Sequence, residues 1–217
     1  MGSGHERMGP PASARRLHGV VLAAGSGLRM GGPKALLRVG GRTLLERHLA
    51  RLRDAGCADL VAVVRPADAV AARAVADRLP FAARLVAADT PSQAASLVAA
   101  LGRVRLAPDD ALVVTPVDLL PPRVETLLAL AAALDAPSGP AAEAPLAVTP
   151  SHRGRGGHPA VVRALVLAPY LRGETPPLRD LLATLARRRR RLEVEDPSIA
   201  GDFDEPADLP RHAGGAG

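Results

Sequence analysis

Short apolar runs alternate with helical patterns through the first half of this chain, and that alternation leaves few folds open. The runs at residues 19–24, 60–65, 83–87 and 111–115 read as strands, and residues 43–55, 66–79 and 91–106 between them read as helices. Thr43 with Glu46 three residues on makes a capping box, and Pro66 suits a first helical turn. Strands separated by helices must pair in parallel through right-handed crossovers. The expected class is α/β: a Rossmann-like, mainly parallel sheet flanked by helices. In such sheets ligands bind beyond the carboxyl ends of the strands.

The second half is less regular. Residues 122–134 read as a helix, 136–145 as a Pro/Ala/Gly loop, and 146–149 and 158–163 as strands around the basic turn 151–157. Residues 176–190 read as a helix and 192–195 as a short strand. The two strands after the loop are expected to add a small β arm. Residues 1–16 carry Gly, Ser, Pro and charge without periodicity, so they are expected to be a disordered leader to a single domain over 17–212.

Composition narrows the function. Hydrophobic residues make up 47% of the 217 but aromatic ones only 1%, so the core must be Ala, Val and Leu. Stacking platforms for single-stranded nucleic acid are thereby excluded. No apolar run is long enough to span a bilayer. A single Cys, Cys57, cannot form an internal disulfide, and the absence of an export signal implies a cytoplasmic protein. The net charge of +6 is carried mostly by Arg, and Lys34 is the only lysine. A five-arginine run, Arg187 to Arg191, could contact nucleic acid, but a solvated helix end is the simpler reading.

The chemistry concentrates where the first strand ends. Leu22-Ala23-Ala24-Gly25-Ser26-Gly27-Leu28-Arg29-Met30-Gly31-Gly32-Pro33-Lys34 is a loop of small residues with two cations. Without bulky side chains, its backbone N–H groups can close on an oxyanion. Arg29 supplies a planar fork and Lys34 a point charge, which suits a triphosphate. It is not a P-loop, because Ala35 follows Lys34. Nor is it a dinucleotide fingerprint, because Met30 stands where a small residue belongs.

That string resembles the signature loop L-A-A-G-x-[SG]-x-R-M-G-x-x-K of the nucleotidyltransferases related to molybdenum-cofactor cytidylyltransferase. Molybdopterin guanylyltransferases and sugar-phosphate nucleotidyltransferases are relatives of that family. Ser92-Gln93-Ala94-Ala95-Ser96-Leu97, Pro116-Val117-Asp118, Gly157-His158-Pro159 and Asp202-Phe203-Asp204-Glu205-Pro206 follow in the family's order. The resemblance implies a glycosyltransferase-A-type fold and Mg²⁺-dependent transfer of a nucleotidyl group to a phosphorylated acceptor, releasing pyrophosphate. It implies catalytic roles for Arg29, Lys34 and Asp118, and nucleotide contacts from Leu22 to Gly27, Arg29, Met30, Lys34, Asp89 and Ser96. It implies metal ligation by Asp118 and Asp204 supported by Asp202, and acceptor contacts at Gly157 and His158. The Ala-Ala-Gly form of the loop points to CTP over GTP, and molybdopterin is the expected acceptor.

Several readings stay open on the residues alone. Asp118 could instead cap the helix that follows it, Ser92 could be a simple N-cap, and His158 could be structural. Another phosphorylated small molecule could be the acceptor, or the chain could bind nucleotide without turnover. The expected partners are small molecules, not nucleic acid or membrane, and the expected state is a monomer or weak homodimer.

Overall fold

The computed structural model describes residues 15–25, 32–137 and 143–201. The first apolar run forms β1 (Leu17–Ala23), which ends at Ala24 and Gly25. A 3-10 turn over Lys34–Leu36 leads to a two-stranded hairpin, β2 (Arg38–Val39) and β3 (Arg42–Thr43). That hairpin turns through Gly40 and Gly41, whose φ of 56° and 81° other residues rarely adopt. α1 (Leu44–Asp54) starts with the expected capping box: Glu46 N donates to Thr43 Oγ1 at 3.1 Å, and Thr43 N to Glu46 Oε2 at 3.4 Å.

The alternation then continues as read. β4 (Asp59–Val64) precedes a 3-10 turn at Pro66–Asp68 and α2 (Ala69–Ala76). β5 (Arg84–Ala87), α3 (Gln93–Leu101), β6 (Ala111–Pro116) and α4 (Val124–Asp135) follow. Next come β7 (Ala147–His152), β8 (Arg155–Gly156) and β9 (Ala160–Arg163). α5 (Ala168–Leu171), α6 (Leu178–Thr184) and β10 (Arg189–Glu193) complete the described chain.

Among the described residues the main sheet runs β10-β7-β9-β6-β1-β4-β5, with β8 beside β7. β1 pairs in parallel with β4 and β6, β4 with β5, and β7 with β10. β9 runs antiparallel between β6 and β7. The sheet is therefore mixed and mostly parallel, as expected. The strands expected as an arm extend this sheet, and the β7–β8 hairpin projects from them.

Strand alternation sends successive side chains to opposite layers. Val21 and Ala23 join Leu45, Leu49, Val75 and Leu130 beneath α1, α2 and α4. Val20 and Leu22 join Leu97, Leu101, Tyr170 and Leu182 beneath α3, α5 and α6. Both layers are mostly Ala, Val and Leu, with Phe81 at the margin of the first and Tyr170 buried in the second. Cys57 is buried at the α1–β4 junction, and burial pushes its thiol up to about 12, which leaves it without nucleophilic character. At the amino end of the sheet, buried His18 lies 3.1 Å from both Asp59 and Asp110. Arg15 pairs with Asp135 at 2.6 Å and Arg16 N donates to Asp110; residues 1–14, read as a leader, lie outside the described residues.

Two expectations need correction. The helix read over 176–190 is only α6, Leu178–Thr184, because the chain turns at Leu185 and enters β10 at Arg189. The arginine run is therefore a sheet-edge strand over its last three residues, not a helix end. The helix read from 122 starts at Val124 and is not capped by Asp118. Its N-terminal donors go to Asp196, which accepts from Arg123 N and Thr126 Oγ1, each at 2.8 Å.

Candidate active site

The sheet topology gathers the expected residues along one edge. Leu22 of β1 lies opposite Pro116 of β6, and Val117 N donates to Leu22 O at 3.0 Å. Asp118 is therefore fixed one residue past a bond to the strand that carries the glycine loop. Ala88 N likewise continues from Val64 O beyond β5, which brings Asp89 to the same edge. Antiparallel β9 begins with Ala160 opposite Val114, and His158, just before it, lines one cavity with Leu22 and Pro116. Leu22, Ala23, Ala24, Gly25, Lys34, Asp89, Ser96, Asp118, Gly157 and His158 are described residues. Ser26, Gly27, Arg29, Met30, Asp202 and Asp204 lie outside them.

Lys34 opens a 3-10 turn closed by Leu36 N to Pro33 O at 2.9 Å and Leu37 N to Lys34 O at 3.1 Å. Ala35 is buried in the α1 layer, so the turn is anchored immediately beside the lysine. An ammonium at a fixed backbone position serves a phosphate better than one on a free loop.

Asp118 is held from both sides. Val117 and Leu119 are 4% and 2% exposed. The Leu119 carbonyl accepts from His48 Nε2 at 2.9 Å, while Thr115 Oγ1 lies 3.5 Å from His48 Nδ1. Burial holds the His48 imidazole down to about 4, with the Leu119 bond opposing it, so the ring is neutral and its Nε2–H is the donor. His48 was not legible as a site residue: it occupies an apolar position of an amphipathic helix, and its partner is 71 residues away. The Leu120-Pro121-Pro122 segment begins only after this anchor.

On the α3 side, Ser92 caps the helix by accepting from Ala95 N at 3.1 Å. Ser96 is buried, its hydroxyl 2.6 Å from Thr90 Oγ1 and 3.2 Å from Ser92 O. Those bonds lock the turn that carries Asp89, whose own side chain is exposed. Ser96 thus acts here as a brace within the turn.

A cavity of about 800 Å³ opens beside this edge on the α3–α6 face. Leu22, Leu97, Val114, Ala160, Leu178 and Leu182 give it an apolar floor, and Ser92 and His158 give it polar groups. Tyr170 donates to Pro176 O at 2.8 Å and so pins the segment whose Thr175 and Pro177 form one wall. The glycines before His158 were expected to admit a ligand. At Gly157 the close neighbour is instead the chain itself: a Cβ there would overlap the Ile199 carbonyl, which accepts from His158 N at 2.9 Å. Asp196 sets up that approach. Burial alone would raise its pKa, but bonds from Ser198, Arg123 and Thr126 hold the carboxyl below the usual range. It thereby ties the segment after β10 to α4 and sends Ile199–Gly201 past His158.

Mg²⁺ and Mn²⁺ are hard cations, commonly held by one or two carboxylates plus substrate phosphates. Asp118, a carboxylate at a strand end beside the glycine loop, fits that donor set. Among the described residues no cluster of three or more His, Cys, Asp or Glu side chains adds to it.

An open, mostly parallel sheet with a glycine loop after β1, a lysine on an anchored turn and an aspartate after β6 defines a nucleotide-handling α/β protein. Residues 19–192 match the MobA-like NTP transferase domain, and the chain belongs to that nucleotidyltransferase family. Sixty-four residues are 45% identical to a probable molybdenum cofactor guanylyltransferase of Opitutus terrae, covering 30% of this chain and 32% of that protein. Thirty-seven are 68% identical to the 2-C-methyl-D-erythritol 4-phosphate cytidylyltransferase of Thermus thermophilus, 17% of each chain. Fifty-eight are 52% identical to the nicotine blue oxidoreductase of Paenarthrobacter nicotinovorans, 26% of this chain and 28% of that protein. The matches thus span a third or less of these relatives' own length. Among solved structures, Rv0371c of Mycobacterium tuberculosis H37Rv is 28% identical with a TM-score of 0.72, over 90% of this chain and 96% of that one. No helix among the described residues is long and apolar enough to cross a membrane.

Proposed function

We propose that this protein transfers a nucleotidyl group from an NTP to a phosphorylated small-molecule acceptor, with residues 17–212 acting as one transferase domain. The observation that carries the reading is the Val117–Leu22 bond, which sets Asp118 beside the end of the glycine loop's strand. An oxygen of the acceptor phosphate attacks the α-phosphorus; a new P–O–P bridge forms, the α–β anhydride breaks, and pyrophosphate leaves. No covalent enzyme intermediate is needed, because such transfers ask mainly for positioning and charge stabilisation.

Within that reading Lys34 and Arg29 take the charge of the α-phosphate and of the departing pyrophosphate. Asp118, with Asp204 and Asp202, holds the divalent cation, which when bound neutralises the triphosphate and orients it. Mg²⁺ is the expected ion; a manganese complex of Rv0371c has been solved, and the chain is 27% identical to it. Leu22 to Gly27 and Met30 enclose the phosphates, Asp89 and the turn braced by Ser96 border the base and ribose, and His158 faces the acceptor. CTP is favoured by the Ala-Ala-Gly loop. Molybdopterin is the leading acceptor, and the Opitutus relative's name supports that class.

The test is pyrophosphate release from each of four NTPs with Mg²⁺ or Mn²⁺ and a panel of phosphorylated acceptors. Release with one NTP–acceptor pair, reduced at least about 100-fold in Asp118→Ala, is the expected result. Nucleotide binding with no release for any acceptor would favour a regulatory protein on the same fold.

A further inference from the structure

Four arginines, Arg155, Arg179, Arg189 and Arg191, line the cavity, and among the described residues no Asp or Glu joins its lining. Two of them come from β10 by alternation. Arg189 and Arg191 face the cavity, whereas Arg190 points to the opposite layer, its Nη1 3.5 Å from Ala136 O. Arg189 is half-buried; its Nη2 reaches Thr149 Oγ1 at 3.4 Å, and its Nε is buried without a partner among the described residues. Burial, then the like charge of Arg191, lower its pKa below the guanidinium norm. Glu193, next on the same strand face, is turned to the β7–β8 hairpin, where it accepts from Ser151 Oγ at 2.5 Å. The half-buried Arg189 guanidinium, beside the exposed Arg191 and with no carboxylate against it among the described residues, is a favourable place for an anion.

This pair comes from the strand at the opposite side of the cavity from Leu22 and Pro116. β10 and β6 are three strand spacings apart in the sheet, about 14 Å at ~4.8 Å each. Past Thr149 of β7, which Arg189 touches, the lining includes apolar Ala160, Leu178 and Leu182. We infer that the acceptor carries a second anionic group besides the attacking phosphate, an oxyanion or a thiolate, which Arg189 and Arg191 bind at the far end of the cavity. The inference rests on the cavity being the acceptor side of the transferase proposed above. Arg189 and Arg191 are then specificity residues: they select acceptors with two anionic ends and reject those with one.

The experiment uses the full chain and a pair of molecular rulers, 1,8-octanediol bisphosphate and octyl phosphate, titrated calorimetrically with and without Mg²⁺ and a non-hydrolysable CTP analogue. The bisphosphate spans roughly the three-strand separation. It should bind the wild type at least about tenfold more tightly than the monophosphate, one charge-assisted contact's worth. The advantage should vanish in the Arg189→Gln/Arg191→Gln double variant and survive in Arg190→Gln, whose side chain is on the other face. Should the double variant melt abnormally, Arg191→Gln alone, at the exposed member, should still cut the advantage several-fold. Equal or undetectable binding of the two rulers, or an advantage that the double variant keeps, overturns the inference. The nucleotide titration is a separate readout: its failure sinks the transferase reading itself, while nucleotide binding with no ruler advantage sinks only this one.

Discussion

At the scale of single residues, the aspartate that the family motif singles out depends on a histidine that no motif marks. His48 lends its Nε2–H to the Leu119 carbonyl from a fully buried position, and the carboxylate of Asp118 is one residue away. Because burial depresses the imidazole to about 4 from 6.5, the unfolded chain takes up a proton between those values that the folded chain refuses. Stability from this group is complete above pH 6.5 and falls as pH drops toward 4, by about 3 kcal/mol at 1.36 kcal/mol per pH unit. Urea unfolding at stepped pH should trace that slope in the wild type and a flatter one in His48→Gln. An unchanged slope in the variant would remove His48 from the account. The Asp118 motif itself was legible because its three residues close an apolar strand. His48 was not, because nothing local distinguishes a buried histidine that holds a distant carbonyl from an ordinary core residue.

Elements were legible wherever their stability is local. The capping box at Thr43 and Glu46 set the start of α1, and the Val/Leu/Ala runs set β1, β4 and β6. β10 was legible only at its end, read as a strand over 192–195; its first three residues belong to a five-arginine run that shows no apolar alternation and favours helix as much as strand. Its strand form comes from pairing with β7, about 40 residues earlier in the chain. The glycines at 156 and 157 signalled close approach but could not say to what. Two expectations follow at this scale. Gly157→Ala must push the Ile199 backbone away and lose the His158–Ile199 bond; we expect roughly 2–4 kcal/mol of destabilisation in denaturant unfolding, of the size seen for overpacking with a lost buried bond. Asp196→Ala should cost about 3 kcal/mol, since it strands Arg123 N and Thr126 Oγ1 and frees the segment bearing Ile199. If either variant melts like the wild type, the tie between β10, α4 and His158 is not what holds that side together.

For the whole molecule, topology decides where chemistry can occur. Three parallel crossovers bring the ends of β1, β5 and β6 to one edge, and antiparallel β9 returns Gly157 and His158 to it. β7 and β10 then widen the sheet, so that the end at Leu22 and Pro116 and an arginine-lined end share one crevice face. The central claim is that Asp118 and the glycine loop together hold a metal-bound nucleotide. Its most direct test is thermal unfolding with each NTP, with and without Mg²⁺, for wild type and Asp118→Ala. A ligand at 100 times its dissociation constant adds about 2.7 kcal/mol, or roughly 5–10 °C for a chain of this size. The account predicts such a rise for at least one NTP, CTP first, that depends on Mg²⁺ in the wild type and is lost in Asp118→Ala. No rise with any NTP, or the same Mg²⁺-dependent rise in both proteins, would contradict it.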